Sequence, residues 1–502
     1  MNGNKIQTES PLGYRLRKAV QTREKNHSLI LILDYPLKVA VIDPFWKAVI
    51  SLLDTQKFVP LGEILPLAGR PGPDKIESYL NELVRKGFLE TEGVSRLTEY
   101  PFVSVIIPVR NRPEEIAACL ESLTRLDYPE ARMEIIVVDD ASDDGTPDAV
   151  SAFPVQLISL KDQSQASFCR NLAAQRAKGG ILAFLDSDCL ADPLWLRELV
   201  PVFKDPSTGA VGGLVDSYFH EKGLDRYEKV KSSLNMGLWP KSSREGDPFF
   251  YLPSCNLLVR RPAFLGAGGF REELAVGEDV DLCWRLQDEG LHLEYRPVGR
   301  IYHKHRNQIR HFCARRFEYG TSEPFLQHAH AGRSKRFLIP PFAALFWGFI
   351  FCFLASGRLP FLTFCGIVLL ADSLIRSARM RRKNIPIPFP RLALAAFRGY
   401  LAVFYSWAAF FSRYYLIWAL ILFRWIPLAC SIVLGLHVLT AIGEYLIKKP
   451  ALRFPLFFTY FTLDQLSYQW GVWWGCLRRH FFGPVNPRIV GKVKHHGTSI
   501  ER

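Results

Sequence analysis

What the chain lacks narrows it first. Among its 10 cysteines no two form a C-x-x-C pair, and several lie inside apolar runs, as Cys352, Cys365 and Cys430 do. That argues against a zinc ribbon or a disulfide framework and fits reduced, buried thiols in a cytosol-facing protein. Met1 to Asn26 is polar and charged, so no signal peptide is expected there. No internal repeat and no long low-complexity run interrupts the chain. Acidic residues are the minority charge: 49 Asp and Glu stand against 63 Lys and Arg, a formal charge of +14. The Lys and Arg clusters lie beside apolar segments. The surplus therefore points to anionic lipid or phosphorylated substrates rather than nucleic acid.

What is present is length and apolar weight. The 502 residues suffice for two or three domains. The chain is 48% hydrophobic and its mean hydropathy is +0.04. The apolar residues crowd after about residue 337, as membrane segments would.

One stretch organises the rest. Ile181-Leu-Ala-Phe-Leu185 is a buried-strand pattern that ends abruptly in Asp186-Ser187-Asp188. Side chains at i and i+2 of an extended segment point the same way, so both carboxylates would reach one divalent cation. A hard cation held by one or two carboxylates keeps coordination sites open for a diphosphate. Taken alone, Asp-x-Asp is also a common strand-to-loop turn. Its neighbours decide the matter. Val103 to Pro108 is a second apolar strand, ending in Arg110-Asn111, and Met133 to Val138 is a third, ending in Asp139-Asp140. Helical patterns separate them, at Pro113 to Leu126 and Ala166 to Lys178. Strand–helix alternation implies a parallel sheet with ligands at the carboxyl ends of its strands. Three such ends carry polar clusters.

The matching residues are Val103 to Asn111, Val137-Val-Asp-Asp-Ala-Ser-Asp-Asp-Gly-Thr146, Arg170-Asn171 with Gly179-Gly180, and Asp186-Ser-Asp188. Farther on stand Cys255-Asn256-Leu-Leu-Val-Arg260, Gly277-Glu278-Asp279 and Asp281-Leu-Cys-Trp-Arg285. In order and spacing this set resembles the inverting family-2 glycosyltransferases of the GT-A fold, a Rossmann-like α/β domain that binds nucleotide sugars. The resemblance implies a nucleotide pocket lined by Pro108, Arg110 and Asn111. One of Asp139 and Asp140 would bond the uracil edge while the other holds the turn. Arg170 would approach the nucleotide or diphosphate. Asp186 would face the ribose or the metal-bound phosphates, and Asp188 would be the direct ligand of Mg²⁺ or Mn²⁺. Asp279, beside Glu278, would be the general base. His303 or His305 would complete the metal shell. Processive members carry Gln-x-x-Arg-Trp where this chain has Arg315-Arg316-Phe-Glu-Tyr-Gly320, so processive synthesis is not expected. Trp239, Phe249, Phe250 and Tyr251 suit either an acceptor-side sugar platform or plain packing.

Such chemistry suits those residue types. A departing diphosphate needs its charge neutralised by a cation. The acceptor hydroxyl needs a carboxylate within hydrogen-bond reach.

The leading 98 residues read as strands followed by three short helices, the last from Lys75 to Lys86. That order resembles a winged helix, in the α+β variant found in peptide-recognition domains of ribosomal-peptide modification systems. Mixed charge on the third helix disfavours DNA. After a catalytic domain over 99–330, Phe337 to Gly357 and Leu359 to Ile375 read as a membrane hairpin, and Trp425 to Ile447 as a further span. Leu392 to Phe423 would span or lie along the interface, giving two or four crossings within 331–450. Residues 451–502, with Phe461 to Phe482, read as an interfacial amphipathic tail. Positive flanks put the catalytic domain on the cytoplasmic side of the cell membrane.

The whole arrangement resembles the glycosyltransferases of mycofactocin-type peptide-cofactor systems. It implies a hexose, glucose from UDP-glucose, moved with inversion onto a redox cofactor derived from a ribosomal peptide, with the precursor peptide and the membrane as partners. A lipid carrier or cell-wall polysaccharide is the alternative acceptor. A peptide- or DNA-binding scaffold is the non-enzymatic alternative.

Overall fold

A computed structural model describes residues 12–25, 28–34, 36–68, 72–93, 97 and 99–490. The polar leader before Leu12 and the end of the tail after Val490 lie outside the described residues. The described chain forms two compact units. One runs to Ile32 and from Val39 to Asn307; the other holds Leu33–Lys38 and the residues from Gln308 onward.

The first unit opens with β1 (Gly13–Leu16), β2 (Val20–Lys25), β3 (Ser28–Asp34), β4 (Leu37–Ile42), α1 (Pro44–Ser51), β5 (Val59–Pro60), α2 (Leu61–Ile64), α3 (Pro73–Arg85) and β6 (Leu89–Glu92). These form two three-stranded sheets, in the orders β2-β3-β4 and β5-β1-β6. Helix α3 buries Ile76, Leu80, Leu83 and Val84, an i, i+4, i+7, i+8 stripe. Pro73 opens it, where the missing N–H costs nothing. Arg85, in its last turn, pairs with the buried Glu294 of the following domain at 3.1 Å.

That domain runs β7 (Val103–Val109), α4 (Pro113–Leu123), β8 (Met133–Asp139), α5 (Thr146–Ser151), β9 (Gln156–Ser159), α6 (Ala166–Arg176) and β10 (Ile181–Leu185). It continues through β11 (Cys189–Ala191), α7 (Trp195–Leu199), β12 (Thr208–Gly212), β13 (Val215–Ser217), α8 (Gly223–Lys231), β14 (Lys241–Ser242) and β15 (Asn256–Arg260). It ends with α9 (Arg261–Gly266), α10 (Glu278–Asp288), β16 (His292–Tyr295) and β17 (Ile301–His303). The main sheet has the order β14-β16-β12-β15-β10-β7-β8-β9. Strands β10, β7, β8 and β9 are parallel. Val103, Val105, Ile107 and Val109 pack with α4 on one face, and Ile106 packs with α6 on the other. This is the period of two expected of a strand buried on both sides.

The register brings the polar ends together. Val109 sits opposite Asp139, and Phe184 opposite Ile106. Strand β15 runs antiparallel to β10 with Asn256 opposite Leu185, so Ser254 reaches the same sheet edge. Three other motif residues prove to be struts. Asn256 accepts from Trp195 Nε1 at 2.8 Å and donates to the carbonyls of Leu214 and Gly299. Asp281 is fully buried between Arg271 and Arg285, and Arg285 also donates to the Gly269 carbonyl. A Cβ at Gly179 would lie 2.6 Å from the Ser104 backbone nitrogen, so only glycine fits there.

The second unit is helical: α11 (Ile309–Ala329), β18 (Arg336–Leu338), α12 (Pro341–Ser356), α13 (Pro360–Arg382), α14 (Phe389–Ile421), α15 (Pro427–Lys448), α16 (Phe454–Arg479) and β19 (Arg488–Val490). Among the described residues three helices, α13, α14 and α15, are long and apolar enough to cross a membrane. The run expected as one span from Phe337 splits. Its start pairs in a strand, Phe337 opposite Ile489, and the helix begins only at Pro341. Pro340-Pro341 prevents the helix from extending backward. At 16 residues α12 is shorter than the other three. Of the polar residues of α16, Asp464, Gln465 and Gln469 are buried, while Arg478 and Arg479, with Trp470 and Trp474, are exposed. Asp464 pairs with Arg316 of α11 at 3.1 Å. Gly320 of α11 and Gly471 of α16 let the two backbones touch at Tyr468 and Phe317.

Candidate active site

At the end of β7 the chain turns sharply. Asn111 takes a left-handed φ of 49°. It is tied to the loop after β8: its backbone N–H donates to Ser142 Oγ at 2.9 Å, and its amide to Asp143 Oδ1 at 2.7 Å. Pro108 is buried in the strand and Arg110 is exposed beyond it. Of the expected pocket wall, Asn111 thus holds the loop in place, and Arg110 is the exposed cation at the rim.

The two aspartates after β8 have different surroundings. Asp140 accepts from the backbone N–H groups of Ser164 (2.6 Å) and Gln165 (3.1 Å). Gln165 has a φ of 113°, a conformation nearly confined to glycine, so Asp140 fixes a strained peptide. Asp139 is 2% exposed. Its Oδ2 accepts weakly from Ser142 N at 3.4 Å, and its Oδ1 is buried without a protein partner. A buried orphan acceptor is costly unless a ligand donor completes it.

Arg170 differs from its expected role at the nucleotide. It is 3% exposed. Its guanidinium donates to Asp186 Oδ1 at 2.6 Å and to Glu278 Oε1 at 3.0 Å. Two carboxylates from opposite sides hold it inside the sheet edge, so it joins them instead of reaching outward. Burial works against its charge, but Asp186 and Glu278 outweigh that and keep it firmly protonated.

Asp188 is held by a residue that the sequence reading did not single out. Arg112 Nη1 donates to Asp188 Oδ2 at 2.6 Å. The other oxygen, Oδ1, lies 3.5 Å from His303 Nε2. Burial would raise the Asp188 carboxyl, but His303, Arg112 and Arg306 outweigh it and hold it below the usual carboxylate range. The His303 Nδ1 atom is buried without a hydrogen-bond partner. An ionised carboxylate oxygen beside an imidazole nitrogen fits a divalent cation. Among the described residues, the side chains close enough to share an ion with Asp188 are Cys189 and His303. Asp186 and His305 are not in that group: Asp186 is taken by Arg170, and His305 Nδ1 lies 3.9 Å from Glu228. The only early signal for Arg112 was its place two residues past the exposed Arg110.

Asp279 stands in the first turn of α10, after Gly277 with its φ of 82°. Its Oδ2 accepts from Ser254 N at 3.2 Å and its Oδ1 from Val280 N at 2.8 Å. Burial, with the Glu278 carboxylate beside it, pushes the Asp279 carboxyl up to about 7. A carboxylate with that affinity for protons is matched to general-base work near neutral pH. Of the aromatic residues that suit either an acceptor platform or plain packing, Phe250 is core. Phe249 packs edge-on against Trp284. Trp239 is half exposed, with Arg17 of the leading domain 3.9 Å over its ring.

Comparison with known proteins bears on the family. The family model described as "Glycosyl transferase family 2" matches residues 104–264. The chain is 30% identical over 402 residues to the pre-mycofactocin glycosyltransferase of Mycobacterium tuberculosis, covering 77% of this chain and 82% of that one. It is 33% identical over 219 residues to glycosyltransferase AglE of Haloferax volcanii, covering 41% of this chain and 70% of that one. A solved structure of a Pyrobaculum calidifontis mannosyltransferase with GDP-Man and Mn²⁺ aligns at 21% identity and a TM-score of 0.38, over 61% of this chain and 88% of that one. With its strand-end carboxylates in one sheet edge and a relative matched along most of both chains, this chain belongs to glycosyl transferase family 2 and is a nucleotide-sugar-dependent glycosyltransferase.

Proposed function

We propose that the enzyme transfers a hexose, glucose from UDP-glucose, with inversion onto an acceptor derived from a ribosomal peptide. The observation that carries the mechanism is Asp279, a carboxyl raised to about 7 and fixed by two backbone N–H groups at the edge where the strand ends meet. Asp279 takes the proton of the acceptor hydroxyl as its oxygen attacks the anomeric carbon. The nucleoside diphosphate departs from the opposite face, which inverts the centre. Glu278 holds Arg170, and through it Asp186, so base and donor ends keep one geometry. Asp188 and His303 are the residues that would hold Mg²⁺ or Mn²⁺, which when bound offsets charge on the departing diphosphate. Asp139 Oδ1 accepts from the uracil edge, and Asp140 holds the loop that presents it. Pro108, Arg110 and Asn111 form the neighbouring wall.

The acceptor reading rests on the relative named for pre-mycofactocin, matched along 77% of this chain. It also draws on the leading domain, residues 1–98, as a winged-helix-like peptide-recognition domain. The β2-β3-β4 sheet has β2 and β4 at its edges, the arrangement that strand addition by a peptide uses. The helical unit anchors the enzyme in the cell membrane by an even number of crossings. Arg376, Arg379, Arg381 and Arg382 in the last turns of α13, with Lys383 after it, support a catalytic domain on the cytoplasmic side. Three helices of spanning length favour a second reading, in which a lipid-linked sugar or wall polymer is the acceptor.

Mass spectrometry of extracts from cells with and without the gene tests the proposal. Loss of a hexose-mass ladder on one peptide-sized metabolite is the expected result. A change confined to lipid-linked sugars or wall polymer would replace the peptide-derived acceptor with the second reading.

A further inference from the structure

The strand after the Asp186-x-Asp188 turn carries a feature that the transfer reaction leaves unused. In the small sheet β11-β17-β13, Cys189 lies directly opposite His303. Opposed residues in an antiparallel pair bring their side chains together on one face. Cys189 Sγ is 3.9 Å from Asp188 Oδ1, and His303 Nε2 is 3.5 Å from the same oxygen. One ligand atom from each of Asp188, Cys189 and His303 falls within 4.8 Å of the other two. His303 also keeps a buried ring nitrogen without a partner.

Oxygen, sulfur and imidazole nitrogen form the donor set of zinc, not of magnesium. Mg²⁺ takes oxygen ligands and has little use for a thiol. Zn²⁺ and Cd²⁺ bind thiolate strongly. We propose that Asp188, Cys189 and His303 form a three-ligand site for a thiophilic divalent cation, Zn²⁺ or Cd²⁺, and that its occupation inhibits transfer. Cys189 Sγ forms the bond to the metal, and its thiol proton leaves to water. Three protein ligands then leave a four-coordinate ion one open position. A diphosphate bridging through two oxygens needs more than that. The cation of the transfer reaction, using Asp188 and His303 alone, keeps several positions open. Cys189 is fully buried, which excludes large thiol reagents, while the side chains of His303 and Asp188 are 14% and 18% exposed. The inference rests on the reading of Asp188 as a ligand of the productive cation.

The test uses the full chain in detergent, titrated with Cd²⁺ alone while the near-ultraviolet thiolate-to-cadmium charge-transfer band is followed. One equivalent of high-affinity band is expected. Cys189→Ser and Cys189→Ala remove it, and His303→Ala, which leaves every thiol in place, weakens it by about tenfold or more. Mn²⁺-supported turnover of Cys189→Ser persists and resists Zn²⁺ concentrations that stop the wild type. A band unchanged in both Cys189 variants would overturn the site. A band lost in those variants, in an enzyme whose Mn²⁺-supported turnover Zn²⁺ leaves untouched, would overturn the shared use of Asp188. The two failures are therefore separable.

Discussion

Arg170 donates to Asp186 Oδ1 at 2.6 Å from inside the sheet edge, and its other Nη reaches Glu278 at 3.0 Å. One buried cation thus ties Asp186 to Glu278, the neighbour of the proposed base Asp279. Removing a buried partner leaves charges uncompensated, which costs about 3–5 kcal/mol. Arg170→Ala is therefore expected to lower stability by that order and to abolish transfer. Arg170→Lys keeps the charge but not the two-sided fork, so it should fold and turn over slowly. Thermal unfolding and donor turnover of the two variants check this.

Asp140 holds the loop through Ser164 and Gln165, and the proposal gives Asp139 the ligand. Asp139→Asn should weaken UDP binding about tenfold with little change in unfolding midpoint, because its Oδ1 has no protein partner to lose. Asp140→Ala frees the N–H groups of Ser164 and Gln165 beside a strained peptide, so it should cost about 1–3 kcal/mol of stability. Calorimetric UDP titration and thermal scans of both variants distinguish the roles.

Asp279 makes activity and stability move in opposite directions with pH. On the proposed mechanism transfer needs its carboxylate, so kcat/KM should rise with pH through about 7. In the unfolded chain the group ionises near the ordinary 3.8. Between that value and about 7 the folded protein holds a proton that the unfolded chain has lost. The contribution favouring the fold is complete below this window and disappears as pH rises through it. Asp279→Asn stays neutral throughout. Its unfolding midpoint relative to wild type should therefore climb from about pH 4 to about pH 8.

In the helical unit, Gly320 and Gly471 mark where α11 and α16 meet backbone to backbone, against Tyr468 and Phe317. A methyl group at either position forces the helices apart. Gly320→Ala and Gly471→Ala should each cost about 1–3 kcal/mol, measured as a lower unfolding midpoint in detergent.

The strand ends were legible in the sequence because parallel strands buried on both faces read as continuous apolar runs, and the polar clusters beyond them had no other use. Asp186 and Asp188 stood out from that pattern, whereas Asp279, in the first turn of a helix, and His303 were suggested by the family resemblance alone. What could not be read depended on register and rotamer. The Cys189–His303 pairing exists only once β11 and β17 are aligned. The division of labour between Asp139 and Asp140 depends on which carboxylate meets the backbone of Ser164 and Gln165. Arg170 reads as a donor contact until Glu278, 108 residues away, takes its second arm. That Asp464 of α16 is buried cannot be read from the helix in isolation, because it depends on Arg316 of α11. A run of apolar residues from Phe337 suggests one helix, yet the pairing of Phe337 with Ile489 takes its start into a strand.

The most direct measurement compares Asp279→Asn with wild type for UDP-glucose binding in the presence of Mn²⁺ and for hexose transfer. If Asp279 is the base, donor affinity is unchanged and transfer falls by about 10²–10⁴-fold. Transfer within about a factor of two of wild type, far inside the range a lost general base removes, would contradict the account.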